Sequence, residues 1–171
     1  MRKSLLCLCA VLVCGSTAMA QMKFETKWKC EKPTAEQKYD VGDMADHSYS
    51  IAQGTCEATA SSKDFAEKSG AYTEFSEGWK SSLSSHGRYN SIMADGDKVY
   101  FKYEGSGPTD IKKPIKNKWA IEGGTGKYKG IKGSGTCEGM RNADGSAEWT
   151  CSGTHEMGKM NKMEKTEKKA K

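Results

Sequence analysis

Aliphatic side chains are nearly missing from this chain. Beyond residue 20, Leu, Ile, Val and Phe together fill only 13 positions, and Leu83 is the sole leucine among them. Taken alone, so little aliphatic content belongs to disordered chains. Other absences exclude function classes. No two cysteines stand at C-x-x-C spacing and no histidine pair supports them, which argues against a zinc site. No segment after residue 20 is apolar enough to cross a membrane as a helix, which takes about 20 residues. The stretch Gln21–His155 has no net charge, because the excess of +5 comes from the two ends. A nucleic-acid-binding face needs clustered basic charge in the folded part, so no nucleic-acid partner is expected.

Two features oppose disorder, the absence of net charge in the body and the number of aromatics, and the leader bears on the cysteines. Met1-Arg2-Lys3, the apolar run Leu5–Cys14 and the close Ala18-Met19-Ala20 have the form of a secretory signal peptide. Residues 1–20 are therefore expected to be removed, and the protein to be exported, periplasmic or secreted. Lipid attachment at Cys14 is the alternative, but Val13 stands where such signals carry a small residue. Four Trp, seven Tyr and four Phe remain, and each buried aromatic removes about 150–250 Å² from water. Cys30, Cys56, Cys137 and Cys151 also remain, and four cysteines in an exported chain read as two disulfides.

Met22–Glu31 alternates strictly: Met22, Phe24, Thr26, Trp28 and Cys30 on one face, Lys and Glu on the other. That is a strand with one buried and one wet face. Seven more strand candidates follow at 48–60, 71–77, 86–94, 98–105, 117–122, 130–141 and 146–155, with a short helix candidate over Lys63–Ser69. Eight short strands without long helical crossovers indicate an antiparallel meander. Met93-Ala-Asp-Gly-Asp97 and Asn142-Ala-Asp-Gly-Ser146 suit three-residue hairpin loops that end in a left-handed glycine. With Asn142 opposite Ser146, Cys137 falls opposite Cys151, which leaves Cys30 to pair with Cys56.

Gly123–Gly135 holds six glycines and three lysines. It is not a P-loop: Ile121 stands where the first glycine belongs, and Tyr128 where Ser or Thr would hold magnesium. The stretch that follows has no helical period, so phosphate binding at a helix N-terminus is not supported. Glycines at the corners of a closing barrel explain the composition better.

The segment Trp119–Thr136, with its Gly-Gly-Thr-Gly core, resembles the allene oxide cyclase-like and dirigent-like barrels, which are of calycin type. Many exported bacterial proteins of unassigned function are similar to them. The resemblance covers about 117–155. It implies a closed, eight-stranded, antiparallel up-and-down barrel with a central cavity, over residues 21–155. It carries no catalytic residue onto this chain, and fold is not function.

Within such a barrel, alternation turns Phe24, Trp28, Phe101, Tyr103, Trp119 and Trp149 inward as cavity-lining candidates. Large flat residues facing strands rich in Gly and Ala favour a lined pocket for a small apolar or aromatic ligand. Side chains that simply fill the barrel are the plainer reading. An isomerase or cyclase using the same cavity, and an envelope protein acting through loops or tail, are the alternatives. No catalytic motif is recognised and no cofactor is called for, so a binding role stands ahead of an enzymatic one. Oligomeric state is left open. Asp40, Asp43, Asp46 and His47 crowd one loop without EF-hand spacing, and read as a solvated rim. The Lys- and Met-rich tail 156–171 reads as disordered. His155, Met157, Met160 and Met163 are a soft-ligand pattern that Cu(I) prefers, with an apolar-dotted tail as the plainer reading.

Overall fold

The structure, a computed structural model, describes residues 21–158. The leader at 1–20, and Met160 and Met163 with the rest of the tail beyond residue 158, lie outside the described residues. The strands are β1 (Met22–Cys30), β2 (Ala35–Asp40), β3 (Ser48–Ser61), β4 (Glu67–Gly78), β5 (Ser82–Met93), β6 (Lys98–Pro108), β7 (Ile115–Gly124), β8 (Lys132–Arg141) and β9 (Ala147–Glu156). They pair antiparallel in the order β1-β9-β8-β7-β6-β5-β4-β3, and β1 pairs with β3 to close the ring. This is an eight-stranded antiparallel barrel. β2 is a ninth strand that the sequence reading lacks. It continues the path of β1 along the first half of β3 and so heightens one side of the wall.

Two expectations need correction. Lys63–Ser69 is no α-helix: a single 3-10 turn covers Lys63–Phe65, and β4 begins at Glu67. Phe65, the last residue of that turn, is fully buried at one end of the barrel, and the chain passes from it directly into β4. Further, the last strand runs one residue past the expected boundary to Glu156, and Met157 packs on the core. The two Ala-Asp-Gly turns do carry left-handed glycines, with φ of 88° at Gly96 and 87° at Gly145.

The glycine-rich turn closes on an anion, but one from its own chain. The Lys127 amide donates to Asp97 Oδ2 at 3.1 Å, the Thr125 hydroxyl to Oδ1 at 3.3 Å, and the Lys127 ammonium pairs with Asp95 at 2.6 Å. Gly126, at φ 49°, would drive a Cβ into the Asp97 carboxylate. The loop is thus an internal clasp between the β5–β6 hairpin and the end of β7, and phosphate has no place in it.

One end of the barrel is plugged. Phe65, Met93, Val99, Tyr128 and Ile131, each at most 2% exposed, pack with Phe24, Phe101, Trp119 and Ile121. Phe65 lies 4.3 Å from Phe24, between ring centroids. So few aliphatics suffice because these rings close the end. Along the wall, glycines face aromatics across the strands. Gly54 pairs with Tyr72, Gly87 with Tyr103, Gly135 with Trp119 and Gly139 with Trp149. At each of these glycines a Cβ would collide with the ring of its partner. The rings therefore lie down over the neighbouring strand instead of standing into the lumen. That is what keeps an eight-stranded barrel, just wide enough to be filled, open inside.

Candidate functional site

A cavity of about 960 Å³ occupies the barrel and opens at the unplugged end. Its volume lies within the range usual for small-molecule sites. The inner part is bordered by Phe24, Phe101 and Trp119, the middle by Trp28, Tyr72, Tyr89 and Tyr103, and the outer part by Trp149 and Ile115. All six residues proposed from alternation border this space. The rings are mutually ordered: Trp28 meets Tyr89 edge-on at 5.1 Å, and Phe101 meets Trp119 edge-on at 5.6 Å.

Both disulfides are part of the wall. Cys30 bonds Cys56 and Cys137 bonds Cys151, each pair directly opposite across its strands. Cys30, Cys56 and Trp28 form a small cluster with Trp149, Tyr72 and Cys151 around it.

The polar groups of the lumen were not foreseen. Glu67 is 7% exposed, at the inner end. Thr26 Oγ1 donates to its Oε2 at 2.7 Å, and Ser61 Oγ accepts from its amide at 3.0 Å. Burial pushes its carboxyl up to about 7, against the hydrogen bonds from Thr26 and Ser91. Glu74, midway along the wall, is also pushed up by burial, against the hydroxyls of Tyr103, Ser85 and Ser76 and the charge of Arg141. Arg141 is fastened at the mouth, where its Nη2 donates to the carbonyls of Pro108 and Thr109 at 2.8 and 3.1 Å. Burial also raises the Tyr89 and Tyr103 phenols far above their ordinary range, so both stay neutral donors. The Tyr89 hydroxyl has no protein partner.

Glu67 escaped detection because a bulge hides it. Glu67 faces Met93 and Ser69 faces Ile92, so Lys68 is an extra residue on β4 and the parity flips there. Glu74 could have been found: Tyr72, Glu74 and Ser76 alternate within a strand already recognised.

His155 belongs to β9. It faces inward at the plugged end, 1% exposed, with its ring 4.6 Å from Phe65 and 5.5 Å from Phe24. Neither ring nitrogen has a protein partner, and burial lowers its pKa, so it is neutral. Met157 packs on the same core.

The acidic loop between β2 and β3 is more than a solvated rim. His47 is 8% exposed, with Nδ1 2.6 Å from Asp43 and Nε2 3.0 Å from Glu77 on β4. Tyr49 OH donates to the same Glu77 oxygen at 2.9 Å, and the imidazole stacks on Trp79. Gly42, Met44, Asp46 and His47 border the mouth, so this clasp holds a loop across part of the entrance. Glu77 and then Asp43 raise the pKa of His47, while His47 lowers both carboxyls. A raised imidazole contributes to the clasp below its unfolded value of about 6.5 and stops contributing as pH rises through the folded value. The lowered carboxyls contribute above about 4.5 and stop as pH falls through theirs. Amide exchange of residues 41–47, corrected for intrinsic rates, should therefore be faster at about pH 9 than at about pH 6. In His47→Ala it should be fast at both. Equal protection of the unsubstituted loop at the two pH values would refute the clasp.

No protein-family model and no curated protein sequence matches this chain. Among solved structures, it is similar to a pterocarpan synthase dirigent protein. The two are 13% identical, the alignment covers 85% of this chain and 91% of that one, and the TM-score is 0.52. At that identity the likeness speaks for the fold, and the fold it shows is the dirigent-like β-barrel.

Proposed function

We propose that this protein is exported and that it binds a small, largely apolar or aromatic molecule inside its barrel. The observation that carries the reading is the lumen itself: about 960 Å³ kept open by aromatic rings laid over glycines. Ring faces on several sides suit a flat ligand, and few polar groups fix its orientation. Two disulfides fit an oxidising compartment, and none of the described helices is long and apolar enough to cross a membrane. Cavity contact is proposed for Phe24, Trp28, Phe101, Tyr103, Trp119 and Trp149.

A second reading, an isomerase or cyclase in the same cavity, draws on Glu67. A carboxyl that titrates near neutrality can give a proton to a bound molecule and take one back. Binding comes first in either case.

Tryptophan emission tests it, since Trp28, Trp119 and Trp149 border the lumen. A panel of apolar and aromatic compounds should include some that shift or quench the emission saturably. Ala52→Phe, which places a ring in the outer lumen, should weaken them at least about tenfold, the range of a lost well-packed contact. If no compound perturbs the emission, or if Ala52→Phe leaves every affinity unchanged, the proposal fails.

A further inference from the structure

The charge distribution of the lumen narrows the ligand class, and this step rests on the cavity-binding reading. Six carboxylates border the space, from Glu31, Glu36, Asp40, Asp46, Glu67 and Glu74, against Lys38, Lys80 and Arg141. The cations lie toward the mouth together with Glu31, Glu36, Asp40 and Asp46; Arg141 donates to two backbone carbonyls and favours the ionised form of Glu74, while its buried Nε has no protein partner. The innermost carboxyl is different. Glu67 receives hydroxyl hydrogen bonds, and no cation stands against it among the described residues.

Its surroundings are those that recognise organic cations. Thr26, which hydrogen-bonds Glu67, sits between Phe24 and Trp28 on β1, and Tyr89 and Phe101 border the same part of the lumen. Trp28 and Tyr89 meet at 5.1 Å, and Tyr89 and Phe101 at 6.3 Å. Trp, Tyr and Phe faces attract an ammonium through their ring quadrupoles, and more strongly where water is excluded. A buried carboxylate without a counter-ion adds the charge that such a guest would neutralise.

We infer that the cavity takes a small organic amine, apolar body toward the mouth and ammonium inward, held by the Glu67 carboxylate among the rings of Phe24, Trp28, Tyr89 and Phe101. The ring faces select a cation, and the carboxylate pairs with it.

The titration follows. Tyr89, on β5, is the titratable neighbour that senses Glu67, and it stays neutral. The other groups that hydrogen-bond the Glu67 carboxyl are the hydroxyls of Thr26 on β1 and Ser91 on β5, which carry no charge. Amine affinity should accordingly rise as Glu67 ionises, by about tenfold between about pH 6 and pH 8, with release of a proton on binding at the lower pH.

Three matched probes decide the matter: phenylpropylamine, phenylpropanol and phenylpropionate, measured by calorimetry with the full chain. The amine should bind at least about tenfold more tightly than the alcohol at about pH 8, and the acid most weakly. Glu67→Gln should erase the preference of amine over alcohol and its pH dependence while keeping the alcohol's affinity. Glu74→Gln should keep the preference. The inference is overturned if amine and alcohol bind alike, or if the preference survives Glu67→Gln or disappears in Glu74→Gln. Those results leave the cavity-binding reading standing. Binding of none of the three overturns this inference, and silence across the wider compound panel overturns the cavity reading as well.

Discussion

At about pH 8, Glu67→Gln should unfold at a higher temperature than the unsubstituted protein, a gain from a change inside the barrel. Glu67 is 7% exposed and its carboxyl titrates at about 7. In the unfolded chain it titrates near the ordinary value of about 4.3. Between those two values the folded state holds a proton that the unfolded state has lost, so stability falls as pH rises through this window. Above the folded value the loss is complete, and at about 1.4 kcal/mol per pKa unit it reaches about 3.5–4 kcal/mol. Glutamine carries no charge to desolvate. Its oxygen can still accept from Thr26, and its amide can donate to the hydroxyl of Ser91. The net gain at about pH 8 should be about 2–3 kcal/mol, or on the order of 5–10 °C in the melting midpoint. At about pH 5, where Glu67 is protonated in the folded protein, most of the difference should vanish. Paired melting curves at the two pH values measure it. A gain of the same size at both would trace to packing, and no gain at about pH 8 would show that Glu67 is ionised without cost.

A charge kept where it destabilises is the pattern expected of a functional site, because local rules are broken there for a reason other than folding. That connects the thermal measurement to the amine measurement. If Glu67 costs stability and also selects the cation, one residue accounts for both. If it costs stability and selects nothing, the proton-transfer reading becomes the stronger use of the carboxyl.

The regular part of the barrel was legible in the residues. β1 reads directly because its inward Phe24, Thr26, Trp28 and Cys30 alternate with charged residues. The β8–β9 hairpin reads because Asn142–Ser146 fixes its register, and that register sets Cys137 against Cys151. What was not legible lacks a periodic signal. β2 is exposed at all six positions, so neither of its faces is apolar, and only its hydrogen bonds to β3 make it a strand. Glu67 lies beyond a bulge, where period two breaks. His47 meets Glu77 across 30 residues of sequence, a contact that only the closed sheet creates. The glycines between 123 and 135 were read as a tight turn followed by positions that relieve crowding where the wall curves. Gly126 does serve a turn, and at Gly133 and Gly135 a side chain would strike Ile121 and Trp119. Their role is fixed by what faces them across the sheet, which no local pattern states.

Removing the Cys30–Cys56 disulfide should harm the barrel more than removing Cys137–Cys151, and in a different place. Loop closure accounts for part of this. The first bond spans 26 residues and the second 14, and the chain-entropy estimate is about 3.5 and about 3 kcal/mol. The larger difference comes from position. β8 and β9 are joined by a tight turn and pair along their whole length, so they stay together without a covalent bond. β1 and β3 are the strands whose pairing closes the ring, and they meet over a short ladder, Thr26–Cys30 against Ser61–Cys56, broken by a bulge between Lys27 and Trp28. Cys30 is also the last residue of β1 and pairs with Ala147, the first residue of β9. Beyond it β3 continues against β2, which has no partner strand on its other side. The disulfide therefore pins the point at which the seam would begin to open. Cys30→Ala with Cys56→Ala should lower the melting midpoint on the order of 10 °C. It should also speed amide exchange along Trp28–Cys30 and 56–61 beyond the global change. Cys137→Ala with Cys151→Ala should give a smaller shift and no such local pattern. Because Trp28 lies on the seam and borders the lumen, the first variant should also weaken any ligand that perturbs tryptophan emission, at temperatures where it remains folded. Equal shifts for the two pairs, with uniform exchange in both, would mean that the ladder alone holds the barrel closed.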